Sequence, residues 1–313
     1  MKKGLKQGIL AVTAGILLGA LGMLVLLRWE RQRDWEPETP LRSPDPVAAA
    51  APDPAGTPTE PEPSPAPAPT PDRTREAEAL LTDFLQTQSG GWDLCFVLLP
   101  EGEPVRVSNA QGPMVSASLI KLPIMGAVLE RVESGELTAE ETEKRLELMI
   151  TVSDNTAANE LIRLLGGGDP EKGMEAVNDW CSRRGCRDTR LNRLMLADNG
   201  LQNYTSAADC ARLLGEIYRG ECVSAGASQK MLELLLGQTV KDRLPRGLPE
   251  GTPIAHKTGD LIGLCWADAG IVFSPGGDYI LVVISDGKAD ESSAKNAAAE
   301  LSRAVYESMN PAA

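Results

Sequence analysis

Apolar residues recur at helical spacing through the middle of the chain, and strand-like runs lie on either side of that region. The spacing predicts five successive helices, at 119–133, 139–150, 156–165, 171–184 and 206–218. Runs rich in β-branched and aromatic residues predict strands at 92–99, 254–257, 266–273 and 279–285. The strands therefore come from the two ends of one domain, with helices between them.

The pattern predicts an α/β half and an all-helical half. Gly276-Gly277 is a hairpin signal between the last two strands. Two further amphipathic segments, 76–88 and 292–308, are expected to cover a face of the sheet. We expect the active site in the cleft between the two halves.

The first quarter of the chain has a different composition. Residues 8–27 are apolar, contain no charge and follow three lysines, which predicts one bilayer crossing within an anchor segment, 1–33. A cleaved signal peptide is the alternative, but the apolar run exceeds the roughly 7 to 15 residues typical of one. Residues 34–73 are rich in Pro, Ala and acidic residues and predict a stalk without a core, which leaves a catalytic domain at 74–313.

Charge and cysteine content limit the possible partners and cofactors. The formal net charge of −13 argues against nucleic acid as a partner. Six cysteines permit disulfides outside the cytoplasm, with Cys210 and Cys222 as the candidate pair. The single histidine, His256, and the absence of a Cys-x-x-Cys pair argue against a metal site, and no cofactor is expected.

Three short motifs occur in order along the predicted domain: Ser-Leu-Ile-Lys at 118–121, Ser-Asp-Asn at 153–155 and Lys-Thr-Gly at 257–259. Alone, the first two match an ordinary polar helix start and the third a strand end entering a turn. Their joint occurrence in this order by chance is expected in fewer than roughly one chain in a hundred. Together they indicate a serine nucleophile with its supporting groups.

The first motif places a nucleophile beside a base. A serine hydroxyl is weakly nucleophilic at neutral pH, and Lys121 lies on the same helical face as Ser118. Ser118 is predicted as the N-cap of its helix, where the helix dipole favours developing negative charge. Lys121 must be partly deprotonated to act as a base, which burial beside Lys257 would favour.

The other two motifs supply the remaining groups. Ser153 is expected to pass a proton to the leaving nitrogen, while Asn155 orients Lys121 and the substrate amide. Lys257 and Thr258 are expected to bind a substrate carboxylate. Gly259 lets the backbone approach closely at the strand end. His256 is expected to be a strand residue rather than a catalyst.

These motifs, together with the runs at 153–162 and 189–193, resemble the class A β-lactamase-related serine hydrolases over residues 76–308. The resemblance implies a β-lactamase-like antiparallel sheet flanked by helices, with a helical subdomain. It also implies an oxyanion hole formed by the N–H groups of Ser118 and Asp260. The implied substrates are β-lactams or D-Ala-D-Ala-like peptidoglycan peptides, so the domain is expected outside the cytoplasm on a single-pass anchor in the cell membrane.

Three departures from the family pattern bear on the reaction. Met195 stands in the Ω-loop where β-lactamases have the glutamate that activates the deacylating water, and a thioether cannot take a proton. The interval between Ser118 and Ser153 is short, and the strand at 266–273 lacks an arginine that some members use to hold the substrate carboxylate. Slow deacylation is therefore expected. Asp198 is the nearest acid that could replace the glutamate.

Two alternatives stay open at this point. The chain could be a working β-lactamase in which Asp198 or a lysine activates water. It could also be a non-hydrolytic sensing module in which the acyl-enzyme is the signal. The two differ in whether the acyl-enzyme turns over.

Overall fold

The computed structural model describes residues 72–288 and 290–311. The predicted anchor, and the predicted stalk up to residue 71, lie outside the described residues. Within the described part, none of the helices has the length and apolar character needed to cross a membrane. The first helix, α1, spans Arg73–Thr87 and so begins at the last residue of the predicted stalk.

Five of the described strands form one antiparallel sheet in the order β2-β1-β7-β6-β5. Every residue of β6 and β7 is buried, as expected of central strands covered on both faces, whereas β2 alternates between half-buried and exposed positions as an edge strand does. The other edge strand is β5. The strands are β1 (Trp92–Leu98), β2 (Val105–Ser108), β5 (Ile254–Leu261), β6 (Cys265–Val272) and β7 (Tyr279–Ser285).

One face of the sheet packs against α1 and the C-terminal helix α9, Glu291–Met309. Leu81 of α1 and Val305 of α9 belong to one apolar core with Leu94 and Leu281 of the sheet. Asp290 caps α9 by accepting a hydrogen bond from the N–H of Ser293 at 3.0 Å. Helices from the two ends of the domain thus bury the same face of the sheet.

The helical half follows a short 3₁₀ turn, Ala117–Ile120, and rejoins the sheet through α6, which packs against β1 and β7. A Thr138–Glu141 capping box starts α3, and Ser206 caps α6. A two-stranded pair, β3 (Met114–Val115) and β4 (Tyr204–Thr205), lies beside the turn. The helices are α2 (Lys121–Glu133), α3 (Ala139–Thr151), α4 (Asn155–Leu165), α5 (Pro170–Arg183), α6 (Ala207–Tyr218), α7 (Ala225–Leu236) and the single turn α8 (Leu244–Gly247).

The predicted fold class is confirmed: an antiparallel sheet with flanking helices is joined to an all-helical half. The hairpin predicted at Gly276-Gly277 joins β6 to β7, which pair in register from Trp266 with Ser285 to Val272 with Tyr279. The prediction missed the helices α7 and α8 and the strands β2, β3 and β4. It also ended β5 too early, because this strand continues through residue 261.

Candidate active site

Ser118 lies inside the 3₁₀ turn that precedes α2, so the prediction that it caps a helix is wrong. The turn is closed by a hydrogen bond from the N–H of Leu119 to the carbonyl of Ser116 at 2.9 Å. Ala117 has a φ of 42°, a left-handed conformation that costs on the order of 1 kcal/mol for a non-glycine residue. The strained residue directly precedes the serine, and the Ser118 side chain is left free to bond elsewhere.

Lys121 is fully buried, and its ammonium nitrogen lies at the centre of a polar cluster. The Nζ atom is 3.1 Å from Ser118 Oγ and 2.8 Å from Asn155 Oδ1. It is also 2.6 Å from the carbonyl oxygen of Ser153 and 3.1 Å from Ser153 Oγ. The first two motifs therefore meet around one nitrogen atom.

Burial lowers the pKa of Lys121 to about 8, against a smaller opposing effect of the Asp154 carboxylate. At neutral pH about one tenth of such a lysine is uncharged. The neutral amine has two N–H donors and one lone pair. Asn155 Oδ1 and the Ser153 carbonyl can only accept, so they take the two donors and leave the lone pair for the hydroxyl of Ser118.

Ser153 lies between the two lysines of the motifs. When Lys121 is charged, its third N–H can donate to Ser153 Oγ at 3.1 Å, and Lys257 donates to the same oxygen at 2.9 Å, so the hydroxyl hydrogen of Ser153 is directed elsewhere. Ser153 has a φ of 59°, a second left-handed non-glycine residue at the site. The next residue, Asp154, caps α4 by accepting from the N–H of Ala157 at 2.6 Å, which holds Asn155 at the first position of the helix.

Lys257, Thr258 and Gly259 lie within β5 and do not end a strand, contrary to the prediction. A Cβ on Gly259 would lie 3.2 Å from the carbonyl oxygen of Ser116, so the strand runs close beside the turn of the nucleophile. Because β5 pairs only with β6 among the described strands, its other edge is free of sheet partners. β5 also contacts the 3₁₀ turn and α7.

The ammonium group of Lys257 is completely buried and donates to the carbonyl of Thr258 at 2.8 Å as well as to Ser153. Burial and then the charge of Lys121 hold the pKa of Lys257 well below its usual value, against the carboxylates of Asp268 and Asp260. The two lysines thus share one serine oxygen, and the charge of Lys121 disfavours a charge on Lys257.

A cavity of about 290 Å³ opens beside Ser118. Asn155 and Asp260 line it from the motif side, while Arg193 and Met195 line it from the loop between α5 and β4, which is the Ω-loop of the predicted resemblance. The wall of the cavity does not include Lys121, Ser153, Lys257 or Thr258. The first three form the polar cluster described above, and Thr258 is only 1% exposed. The N–H groups of Ser118 and Asp260 remain predicted donors to an oxyanion.

Met195 is 7% exposed and is held by its backbone. Its N–H donates to Asn159 Oδ1 at 2.8 Å, and its carbonyl accepts from Asn159 Nδ2 at 3.1 Å. Met195 therefore borders the cavity from a backbone that is held in place. Asp198 borders the same cavity but is exposed.

Arg243 is a buried cation that the sequence analysis missed. Its guanidinium pairs with the Asp260 carboxylate and donates to the carbonyl of Ala267 at 3.3 Å. Arg243 belongs to no helical or strand-like pattern in the sequence. A single arginine ahead of β5 does not by itself indicate a functional residue. Arg243 places a second positive charge close to Lys257, whose pKa it lowers further.

His256 takes part in a buried pair away from the cavity. Its Nδ1 lies 2.9 Å from Oδ1 of Asp268, and Oδ2 of Asp268 accepts from the N–H of Leu244 at 3.3 Å. The pair ties β5 to β6 and to the start of α8. This position agrees with the expectation that His256 is a strand residue.

The predicted pair of Cys210 and Cys222 is wrong, because both thiols are free and buried. Cys210 lies in the first turn of α6, whereas the N–H of Cys222 donates to the carbonyl of Glu216, about 9 Å further along the helix. A disulfide requires Cα atoms within about 7 Å. In residues 72–288 and 290–311, no cluster of His, Cys, Asp and Glu could hold a metal ion.

Comparison with known proteins gives the family of the chain. The family described as the β-lactamase enzyme family matches residues 76–145 and 142–309. The β-lactamase of Streptomyces albus G is 30% identical over 173 residues, which are 53% of this chain and 52% of the relative. That of Streptomyces fradiae is 32% identical over 168 residues, 52% of this chain and 51% of the relative. The chain thus spans about half the length of the curated relatives it matches.

Solved structures resemble the domain over a larger share. A β-lactamase from Sphaerobacter thermophilus is 27% identical with a TM-score of 0.65, covering 76% of this chain and 98% of that one. A mutant of PBP-A, solved as an acyl-enzyme complex with penicillin G, is 28% identical with a TM-score of 0.65, covering 75% of this chain and 96% of that one. The motif cluster, the fold and the family match agree, and the chain belongs to the β-lactamase enzyme family.

Proposed function

We propose that this protein is a membrane-anchored serine hydrolase in which Ser118 is acylated by β-lactams or D-Ala-D-Ala-like peptides and then released slowly. The main support is the position of Lys121 Nζ, which lies 3.1 Å from Ser118 Oγ and within hydrogen-bond reach of Ser153 and Asn155. A serine hydroxyl in contact with a buried lysine of lowered pKa is an activated nucleophile.

Acylation begins when the neutral amine of Lys121 takes the hydroxyl proton of Ser118. The serine oxygen attacks the amide carbonyl, and the N–H groups of Ser118 and Asp260 stabilise the oxyanion. Such donors each contribute about a hundredfold or more to the rate. The proton then passes from Lys121 through Ser153 to the leaving nitrogen as the C–N bond breaks. Ser153 suits this role because its Oγ contacts both lysines.

The substrate carboxylate is bound on the β5 side in this proposal. Lys257 is buried and partly destabilised as a cation, so an anion that reaches it gains a strong partner. Thr258 lies next to Lys257 on the same edge strand. A bound carboxylate would also favour the protonated form of Lys257.

Deacylation is slow in this proposal because Met195 offers no base to the attacking water. General base catalysis typically contributes about a hundredfold to ten-thousandfold. Met195 lines the cavity beside Ser118, and its backbone groups are already bonded to Asn159.

The proposed location is the outer face of the cell membrane. The apolar segment 8–27 would anchor the chain, and the stalk at 34–73 would extend the domain on the order of 100 Å from the bilayer. Peptidoglycan peptides and β-lactams are met on that side. Adding a protease to intact cells tests the orientation: the stalk is expected to be cleaved, because it lies outside the cell in this proposal.

Intact-protein mass spectrometry of the full chain with benzylpenicillin tests the reaction. Opening the ring releases no fragment, so an adduct with the whole mass of the drug is expected to persist while little hydrolysed drug accumulates. Ser118→Ala should abolish the adduct, and undiminished labelling of that variant would refute the nucleophile assignment. A sensing module would be labelled equally but would leave a D-Ala-D-Ala peptide intact.

A working β-lactamase is the second candidate, favoured by one observation: Asp198 lines the same cavity as Ser118. In that case the adduct disappears as hydrolysed drug accumulates. Asp198→Asn would then slow hydrolysis and stabilise the adduct. If the site has no base because position 195 is a methionine, Asp198→Asn leaves the adduct lifetime unchanged.

A further inference from the structure

The Ω-loop wall of the cavity contains a cation without an anionic partner. Arg193 lines the cavity together with Ser118 and Met195. Its Nη1 donates to the carbonyl of Leu194 at 3.1 Å and its Nη2 to Oε1 of Gln202 at 3.0 Å. Among the described residues, no carboxylate pairs with this guanidinium.

The hydrogen-bonding capacity of Arg193 is only partly used. A guanidinium has five N–H donors in a planar fork, and two of them have the partners just named. The Nε atom is buried and has no hydrogen-bond partner. A buried donor without a partner is unfavourable, and a carboxylate is the acceptor that fits a guanidinium best.

The loop fixes the position of Arg193 through its backbone. Asn203, 4% exposed, accepts from the N–H of Arg193 at 3.0 Å and donates to its carbonyl at 3.1 Å. Because Asn203 is a neutral amide, it holds the arginine in place without neutralising its charge. The cation is therefore preorganised beside the cavity.

One unpaired anion lies on the same wall. Asp198 lines the cavity, is exposed and has no ion pair or hydrogen bond among the described residues. The other carboxylate of the cavity, Asp260, is paired with Arg243. A ligand with a carboxylate alone would gain Arg193 but would face Asp198, whereas one with an ammonium group as well would complement both charges.

We propose that this wall binds a zwitterionic α-amino acid group on the acyl side of the substrate, with Arg193 holding the carboxylate and Asp198 the ammonium. The proposal rests on the proposed function, because the acyl donor is bound where Ser118 attacks it. It makes Arg193 and Asp198 determinants of which acyl donor reacts fastest.

Three penicillins that share one nucleus test the site. Their side chains are α-aminoadipyl, with both charges, adipyl, with the carboxylate alone, and hexanoyl, with neither. Second-order acylation rate constants of the full chain are measured by mass spectrometry. The aminoadipyl compound is expected to react about tenfold or more faster than the hexanoyl compound, as a charge-assisted hydrogen bond would give. Raising the ionic strength should reduce the ratio.

The variants separate the two charges. Arg193→Gln should remove the preference for the aminoadipyl compound, and Asp198→Asn should make the adipyl and aminoadipyl compounds react alike. Each ratio is measured within one variant, so partial unfolding lowers both rates and leaves the ratio readable. Arg190→Gln is the matched control, since Arg190 is an exposed arginine three positions earlier that does not line the cavity.

The outcomes are distinct. Acylation at equal rates by all three penicillins refutes the site but leaves the proposed function standing. If Arg190→Gln also lost the preference for the aminoadipyl compound, the preference would come from the net charge of the protein, and the proposed site would be refuted. Failure of all three penicillins to acylate the protein refutes the proposed function and this site with it.

Discussion

The dependence of acylation on pH should report the titration of Lys121. Burial lowers the pKa of this lysine to about 8, and only the neutral amine can take the proton of Ser118. The neutral fraction is about one tenth at pH 7 and about nine tenths at pH 9. The acylation rate constant should therefore rise about tenfold over this interval and level off above it.

Asp154 offers a way to move the midpoint of this rise without touching the substrate. Its carboxylate raises the pKa of Lys121, so Asp154→Asn should lower that pKa. The neutral fraction at pH 7 then increases, and the midpoint of the profile moves to lower pH. Asparagine is as good an N-cap as aspartate, so the bond to the N–H of Ala157 that starts α4 is expected to be kept.

The assay is a stopped-flow or quenched mass-spectrometric measurement of benzylpenicillin labelling between pH 6 and pH 10. The thermal midpoint of each variant, recorded at every pH, separates titration of the site from unfolding. A rate constant that stays flat from pH 7 to pH 9 would contradict the assignment of Lys121 as the base. A midpoint that is unmoved in Asp154→Asn would contradict the electrostatic argument.

Three other predictions follow from single positions. Met195→Glu should speed loss of the penicillin adduct by about a hundredfold or more, and an unchanged adduct lifetime would show that the missing base is not what limits release. Gly126→Ala should lower the free energy of unfolding by about 1–2 kcal/mol, because the new Cβ would lie 2.3 Å from a ring carbon of Trp180. Gly226→Ala in the first turn of α7 is the control in urea unfolding: the nearest atom to its Cβ is Ser224 Oγ at 3.9 Å, so no clash arises and the free energy of unfolding should change by less than about 0.5 kcal/mol.

The sequence identified the main elements and the polar cluster because both depend on short-range patterns. Helical spacing located α2 to α6, and the motifs at 118–121, 153–155 and 257–259 fall where the chain brings Lys121, Ser153 and Lys257 together. A motif can predict such a meeting, but it cannot predict how deeply each lysine is buried. The lowered pKa of Lys121 follows from packing that only the fold supplies.

The errors have tertiary causes. A lone serine before a helical pattern suggests a cap, whereas Ser118 lies in a 3₁₀ turn packed against β5. The strand signal ended at Lys257 because Gly259 and Asp260 disfavour strands, yet pairing with β6 extends the strand to residue 261. The buried charge of Arg243 depends on its contact with Asp260, which no local pattern reveals.

The Ω-loop of this chain is held in shape by two asparagine side chains. Asn159 binds both backbone groups of Met195, and Asn203 binds both backbone groups of Arg193. These amides fix the loop through backbone hydrogen bonds, so its shape does not depend on a carboxylate at position 195. A glutamate placed there would start from a backbone that is already held beside the cavity of Ser118. For this reason Met195→Glu tests the chemistry of deacylation and not the folding of the loop.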